Sequence, residues 1–128
     1  MEDVMEQYIE VVERYFAGWN ETDTARRRAL IAQTWADDAH YHDPLMVGDG
    51  HTGIDTLIQG VQQQFPGYRF RRVGVVDGHH SYVRFAWELG LVDGPAPIAG
   101  SDVAILGPDG RIQRVIGFLD RVPAGASD

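Results

Sequence analysis

The chain is 128 residues long, 44% hydrophobic and 10% aromatic, the size and make-up of a single globular domain with a sizeable core. Its formal charge of −8 repels a phosphate backbone, so nucleic acid is not an expected partner, and the lack of cysteine excludes disulfides and thiolate zinc sites. No apolar run has the length of a membrane span, and Met1-Glu-Asp-Val-Met-Glu6 lacks the basic-then-apolar pattern of a signal peptide, so a cytoplasmic protein without membrane contact is expected.

In chain order, Val4, Tyr8, Val11, Val12, Tyr15, Phe16 and Trp19 recur at spacings of three and four. They predict an amphipathic helix from about Asp3 to Trp19, with Asp3 as its N-cap. Asn20-Glu-Thr-Asp23 is turn chemistry. A second helix is predicted over Thr24 to Trp35, burying Leu30, Ile31, Thr34 and Trp35, with Arg26-Arg27-Arg28 on a solvated face. The chain then runs extended from Ala39 to Asp43, and Gly48-Asp-Gly50 reads as a loop. A third helix, Gly53 to Phe65, carries Ile54, Leu57, Ile58, Val61 and Phe65 on one stripe and is ended by Pro66-Gly67. Strand signals follow over Tyr68 to Val76 and Ser81 to Leu91, with Asp77-Gly78 as the hairpin turn between them. Val83, Phe85, Trp87 and Leu89 alternate with Tyr82, Arg84 and Glu88. Beyond the Gly94 to Pro97 loop, Ile98 to Leu106 and Arg111 to Val122 flank a turn at Gly107-Pro-Asp-Gly110. Helices first and a meander of long strands after predict an α+β fold: helices on a curved antiparallel sheet that encloses a conical pocket, one domain over 1–122 with a frayed tail over 123–128.

The chemistry concentrates in Trp35-Ala-Asp-Asp-Ala-His-Tyr-His-Asp43-Pro44, where polar groups run into an apolar core. Pro44 disfavours helix at Asp43, and strand alternation turns Asp43 inward with Tyr41. Asp43 fits either a functional carboxylate or a turn residue. Tyr15 fits a core tyrosine or a site residue, and Asp102 a turn or edge aspartate or a site residue. His40 and His42 share a strand face near Asp49 and His51, while His79-His80, as neighbours on a strand, point apart. No third ligand completes a metal site, so neither metal nor cofactor is expected. No phosphate-binding loop, dinucleotide fingerprint or nucleophile elbow is present.

Over nearly its whole length the chain resembles the nuclear transport factor 2-like superfamily, in its SnoaL-like and ketosteroid-isomerase-like branch. The resemblance rests on Arg14-Tyr15-Phe16, the Trp35 to Pro44 junction, Phe65-Pro-Gly67, Asp102 to Ile112 and Gly117-Phe-Leu-Asp120. It implies a cystatin-like cone, a homodimer and a pocket for a small hydrophobic carbonyl compound. It also implies cofactor-free proton transfer by an isomerase or cyclase, in which Asp43 is the general base and Tyr15 and Asp102 are oxyanion donors. Trp19, Tyr41, His42, Phe118 and Asp120 are the implied pocket lining, and Asp120 also stands where SnoaL-like cyclases carry an acid–base aspartate. Similarity to limonene-epoxide-hydrolase-like members implies a different set: Tyr41 and Asp43 hold a water, and Arg84 and Asp120 stand for the arginine and one aspartate. Ala86 then falls where the other aspartate belongs. The alternative from another class is a non-catalytic ligand-binding or interaction module on the same fold.

Overall fold

The computed structural model describes residues 4–123. The Asp3 cap and the tail beyond Pro123 lie outside the described residues. Three helices, α1 (Val4–Asn20), α2 (Thr24–Thr34) and α3 (Gly50–Gln64), pack on the concave face of one six-stranded sheet. Its strands are β1 (Trp35–His42), β2 (Val47–Asp49), β3 (Tyr68–His79), β4 (Tyr82–Leu91), β5 (Ile98–Leu106) and β6 (Ile112–Arg121), in the order β2-β1-β6-β5-β4-β3. All neighbours are antiparallel except β1 and β6, which run parallel. No helix among the described residues is long and apolar enough to cross a membrane.

The predicted stripe of α1 is buried from Tyr8 to Trp19, while Val4 stays exposed. Asn20 closes the helix by pairing with β3: its amide donates to the Phe70 carbonyl at 3.0 Å and its oxygen accepts from the Phe70 N–H at 2.8 Å. Asp23 caps α2 by accepting from the Arg26 N–H at 2.9 Å. The helix ends at Thr34, because Trp35 already has extended backbone and begins β1.

Three expectations need correction. Arg27 is not on a solvated face: it lies four residues before Ile31, on the buried side of α2, and is 2% exposed. It is tolerated there because its Nε donates to Asp55 Oδ1 of α3 at 2.6 Å, with Arg28 Nε on Oδ2 at 3.2 Å. Gly48 belongs to a short strand, β2, and a Cβ there would come within 2.6 Å of Leu57 Cδ1, so the glycine serves close packing against α3. The β3–β4 turn is made by His80 and Ser81, not Asp77-Gly78. His80 adopts φ 53°, and its carbonyl accepts from the Tyr8 hydroxyl at 2.7 Å. Gly78 lies inside β3 because the Tyr8 ring occupies the place of a side chain, 2.6 Å from a Cβ. A register shift between Val73 and Asp77, with Gly74 at φ 71°, bends β3 and helps curl the sheet.

Candidate active site

The curled sheet, α1 and α3 enclose a cavity of about 450 Å³. Its walls are mostly aromatic and aliphatic, among them Phe16, Trp19, Phe70, Trp87, Leu89 and Leu119. The polar groups are few: Tyr15, Tyr41, Asp43, Gln64 and Asp102, with no lysine, arginine or histidine among the lining residues.

Strand register explains why the carboxyls of Asp43 and Asp102 meet. On β1, Tyr41 lies beside Val115 and His42 beside Ile116 of β6, which brings Asp43 alongside Gly117. On the other side of β6, Gly117 pairs with Asp102 of β5. The two aspartates therefore flank one glycine, each one strand spacing, about 4.8 Å, from it. A Cβ on Gly117 would lie 2.9 Å from Asp102 Oδ1, 3.0 Å from Asp43 Cβ and 3.5 Å from the Tyr41 hydroxyl. The missing side chain is what lets the carboxyls and Tyr41 lean together over β6. A second glycine, Gly100, does the same for Trp87, whose Cζ2 would be 2.3 Å from a Cβ there.

Each carboxyl has its own tyrosine. The Tyr15 hydroxyl donates to Asp102 Oδ2 at 2.7 Å, and both residues are almost fully buried. The Tyr41 hydroxyl donates to Asp43 Oδ2 at 2.6 Å. Asp43 Oδ1 accepts the Leu45 and Met46 N–H groups at 2.8 and 2.9 Å, so Asp43 also shapes the turn at the cavity mouth. Asp102 Oδ1 has no hydrogen-bond partner in the protein.

Burial pushes the Asp102 carboxyl up to about 6, against the Tyr15 hydrogen bond and the Trp87 indole, which favour its charged form; the charges of Asp43 and Asp120 push it up further. Burial first, then the charge of Asp102, holds the Tyr15 hydroxyl well above the ordinary phenol value. Burial, then Asp102 and Asp43, does the same for Tyr41. Both phenols remain donors across the physiological range.

The structure thus brings Tyr15, Trp19, Tyr41, Asp43 and Asp102 to one cavity. It does not bring His42, Phe118 or Asp120 there. β1 alternates with Ala39 and Tyr41 inward, which turns His42 outward beside His40. β6 alternates with Val115, Gly117 and Leu119 inward, which turns Phe118 and Asp120 onto the outer face. Phe118 is 54% exposed there, and Asp120 accepts from the Ser101 hydroxyl. Arg84 is also on the outer face, paired with Asp77 at 2.8 Å, so the arginine–aspartate set of the epoxide-hydrolase arrangement is not assembled in the cavity. His40 pairs with Asp49, and His51 donates to the Trp35 carbonyl at 2.9 Å. Phe70 and the packing role of Gly117 were not singled out from the sequence, whereas Trp87 was expected on one strand face with Val83, Phe85 and Leu89. The usable signal was a lone glycine inside a strand pattern, Ile116-Gly-Phe118, which marks close approach of another group.

The model of the SnoaL-like domain family matches residues 12–115. A candidate isomerase of the SnoaL-like family from Agrobacterium tumefaciens is 46% identical, superposes with a TM-score of 0.87, and is matched over 91% of this chain and 99% of its own. A candidate polyketide cyclase from Sinorhizobium meliloti shares the fold at 16% identity, with a TM-score of 0.67 over 84% of this chain and 93% of its own. A protein of cystatin-like fold from Methylobium petroleophilum does so at 17% identity, with a TM-score of 0.73 over 96% and 82%. No curated protein matches the chain. The chain belongs to the SnoaL-like family, with the α+β cone of the nuclear transport factor 2-like fold.

Proposed function

We propose that this SnoaL-like protein is a cofactor-free isomerase or cyclase that binds a small, neutral, apolar carbonyl compound in its cone and moves a proton next to the carbonyl. The observation that carries this reading is the presence of two tyrosine–carboxyl pairs, Tyr41–Asp43 and Tyr15–Asp102, on one otherwise apolar cavity that has no basic lining residue. Asp43, nearer the mouth, is the base that takes the proton from carbon. Asp102, deeper and favouring its neutral form as the pH falls below about 6, donates to the oxygen that becomes an enolate. Tyr15, whose single hydroxyl proton already goes to Asp102, acts through it as a positioning residue rather than as a second donor to the ligand. The name of the Agrobacterium relative, a candidate isomerase, agrees with this chemistry.

A binding module without turnover is the second reading. It is favoured by the full set of hydrogen bonds on Asp43, which a purely structural turn aspartate would also show. A panel of cyclic ketones and phenolic β-diketones separates the two. Under the enzyme reading at least one compound is turned over, and Asp43→Asn lowers that rate by about 10²- to 10⁴-fold. Compounds that raise the melting temperature with no turnover of any would establish the binding module.

We further propose a cytoplasmic homodimer formed through the outer sheet face, where Tyr82 and Phe118 are 47% and 54% exposed.

A further inference from the structure

Tyr15, Asp102, Tyr41 and Asp43 are paired with one another on the cavity wall, Tyr15 donating to Asp102 at 2.7 Å and Tyr41 to Asp43 at 2.6 Å. Gln64 also lines the cavity, and it forms no hydrogen bond with any described residue. Its place differs from theirs. It comes from the last turn of α3 and is exposed, in a part of the lining that includes Leu45 at 79% exposure, whereas Asp102 is 2% exposed. Gln64 is therefore an amide at the mouth, and Asp102 a carboxyl at depth.

The helix register aims the amide at the cavity. Val61, Gln64 and Phe65 stand three and four residues apart, share one helix face, and all line the cavity. The stripe before them, Ile54, Leu57 and Ile58, is apolar, so Gln64 puts an amide where the pattern would continue with hydrocarbon. The two glutamines before it have other places. Gln62 donates to the Trp19 and Glu21 carbonyls at 3.0 and 2.9 Å and ties α3 to the end of α1. Gln63 is exposed and is not among the lining residues. The backbone at this turn is held: the Phe65 N–H donates to the Val61 carbonyl at 2.9 Å, and the Phe65 ring lies 5.3 Å from that of Tyr68.

We propose that Gln64 binds a second, uncharged polar group of the ligand, a hydroxyl or a carbonyl, at the end remote from the carbonyl seated on Asp102. A primary amide offers two donors and an acceptor and no charge, which suits either group. A charged group of either sign would shed water for a single amide on a rim of Leu45, Val61 and Phe65. An apolar body held at one end can turn in an apolar cone. A hold at both ends fixes which carbon faces Asp43. That the deep group is a reacting ketone rests on the proton-transfer reading above; the second hold at the mouth does not.

Titration calorimetry with 2-tetralone and its 6-hydroxy and 6-hydroxymethyl derivatives tests this, since position 6 lies across the ring system from the ketone. At least one derivative is expected to bind about 3- to 10-fold more tightly than 2-tetralone. Gln64→Leu removes that difference and leaves the Kd of 2-tetralone within about twofold, while Gln63→Leu keeps the difference. Equal affinity for all three compounds, binding of none, or a preference that survives in Gln64→Leu overturns the proposal. Should Gln64→Leu not fold, the side-chain amide NMR signals of Gln64 in the unmodified protein decide: they move with the preferred derivative and not with 2-tetralone, and signals that move with neither refute the contact. A preference that depends on Gln64, without hydrogen exchange at the α-carbon, sinks the proton-transfer reading and leaves the second hold standing.

Discussion

At Asp102, near-complete burial and the hydrogen bond from Tyr15 act in opposite directions on the charge, and burial wins. The carboxyl rises from 3.8 to about 6, so stability from its neutral form is fully present below pH 3.8 and is lost as the pH climbs through about 6. That loss is about 3 kcal/mol. Asp102→Asn still accepts from Tyr15 and does not titrate. It should therefore be more stable than the unmodified protein at pH 8, with the difference gone by pH 4 in urea unfolding. Gly117 is as demanding as any polar residue here. Gly117→Ala puts a methyl within 2.9 Å of Asp102 Oδ1 and 3.0 Å of Asp43 Cβ. Differential scanning calorimetry should register a cost of about 1–3 kcal/mol. Asp43 could be read from the sequence because Pro44 fixes its backbone and alternation fixes its side. The part played by Gly117 could not, since which strand lies beside β6 is a long-range fact.

At the scale of elements, alternation in β4 placed Val83, Phe85, Trp87 and Leu89 inward as expected. The same rule applied to β1 and β6 turns His42, Phe118 and Asp120 outward. Grouping these with the pocket rested on the family resemblance and not on strand parity. Residues one apart on a strand face opposite ways, so nearness in the motif works against sharing a cavity. The helix α2 teaches a related lesson. Charge suggested that Arg26-Arg27-Arg28 was solvated, whereas the 27, 31, 34 spacing puts Arg27 in the core, where Asp55 meets it. Burial pushes the Asp55 carboxyl up, but the hydrogen bonds from Arg27 and Arg28 outweigh it and hold the group below its ordinary value. Arg27→Ala leaves Asp55 with Arg28 alone and should cost about 3 kcal/mol in chemical denaturation. Arg26→Ala, whose side chain is 72% exposed, should cost under about 1 kcal/mol. The hairpin was misread for a similar reason: Gly78 serves contact with Tyr8, and a histidine takes the positive φ instead.

For the whole molecule, the lining of the cone sets which ligands suit it. A cavity with two carboxyls and no basic lining residue favours a neutral ligand over its carboxylate analogue. The homodimer proposed above puts Phe118 in its interface, so Phe118→Glu should convert a dimer to a monomer in sedimentation velocity while leaving the cavity residues in place. The α+β architecture was legible early because helix and strand periods dominate whole segments. The parallel β1–β6 pair that joins Asp43 to Asp102 was not, because no local pattern records it. The central claim is that the cone is a proton-transfer site worked by Asp43. Its most direct test is NMR-detected deuterium incorporation at the α-carbon of 2-tetralone in D₂O, which needs no knowledge of the natural substrate. The account predicts exchange above the buffer rate with the unmodified protein and its loss in Asp43→Asn. Saturable binding of the ketone with exchange no faster than in buffer would contradict it.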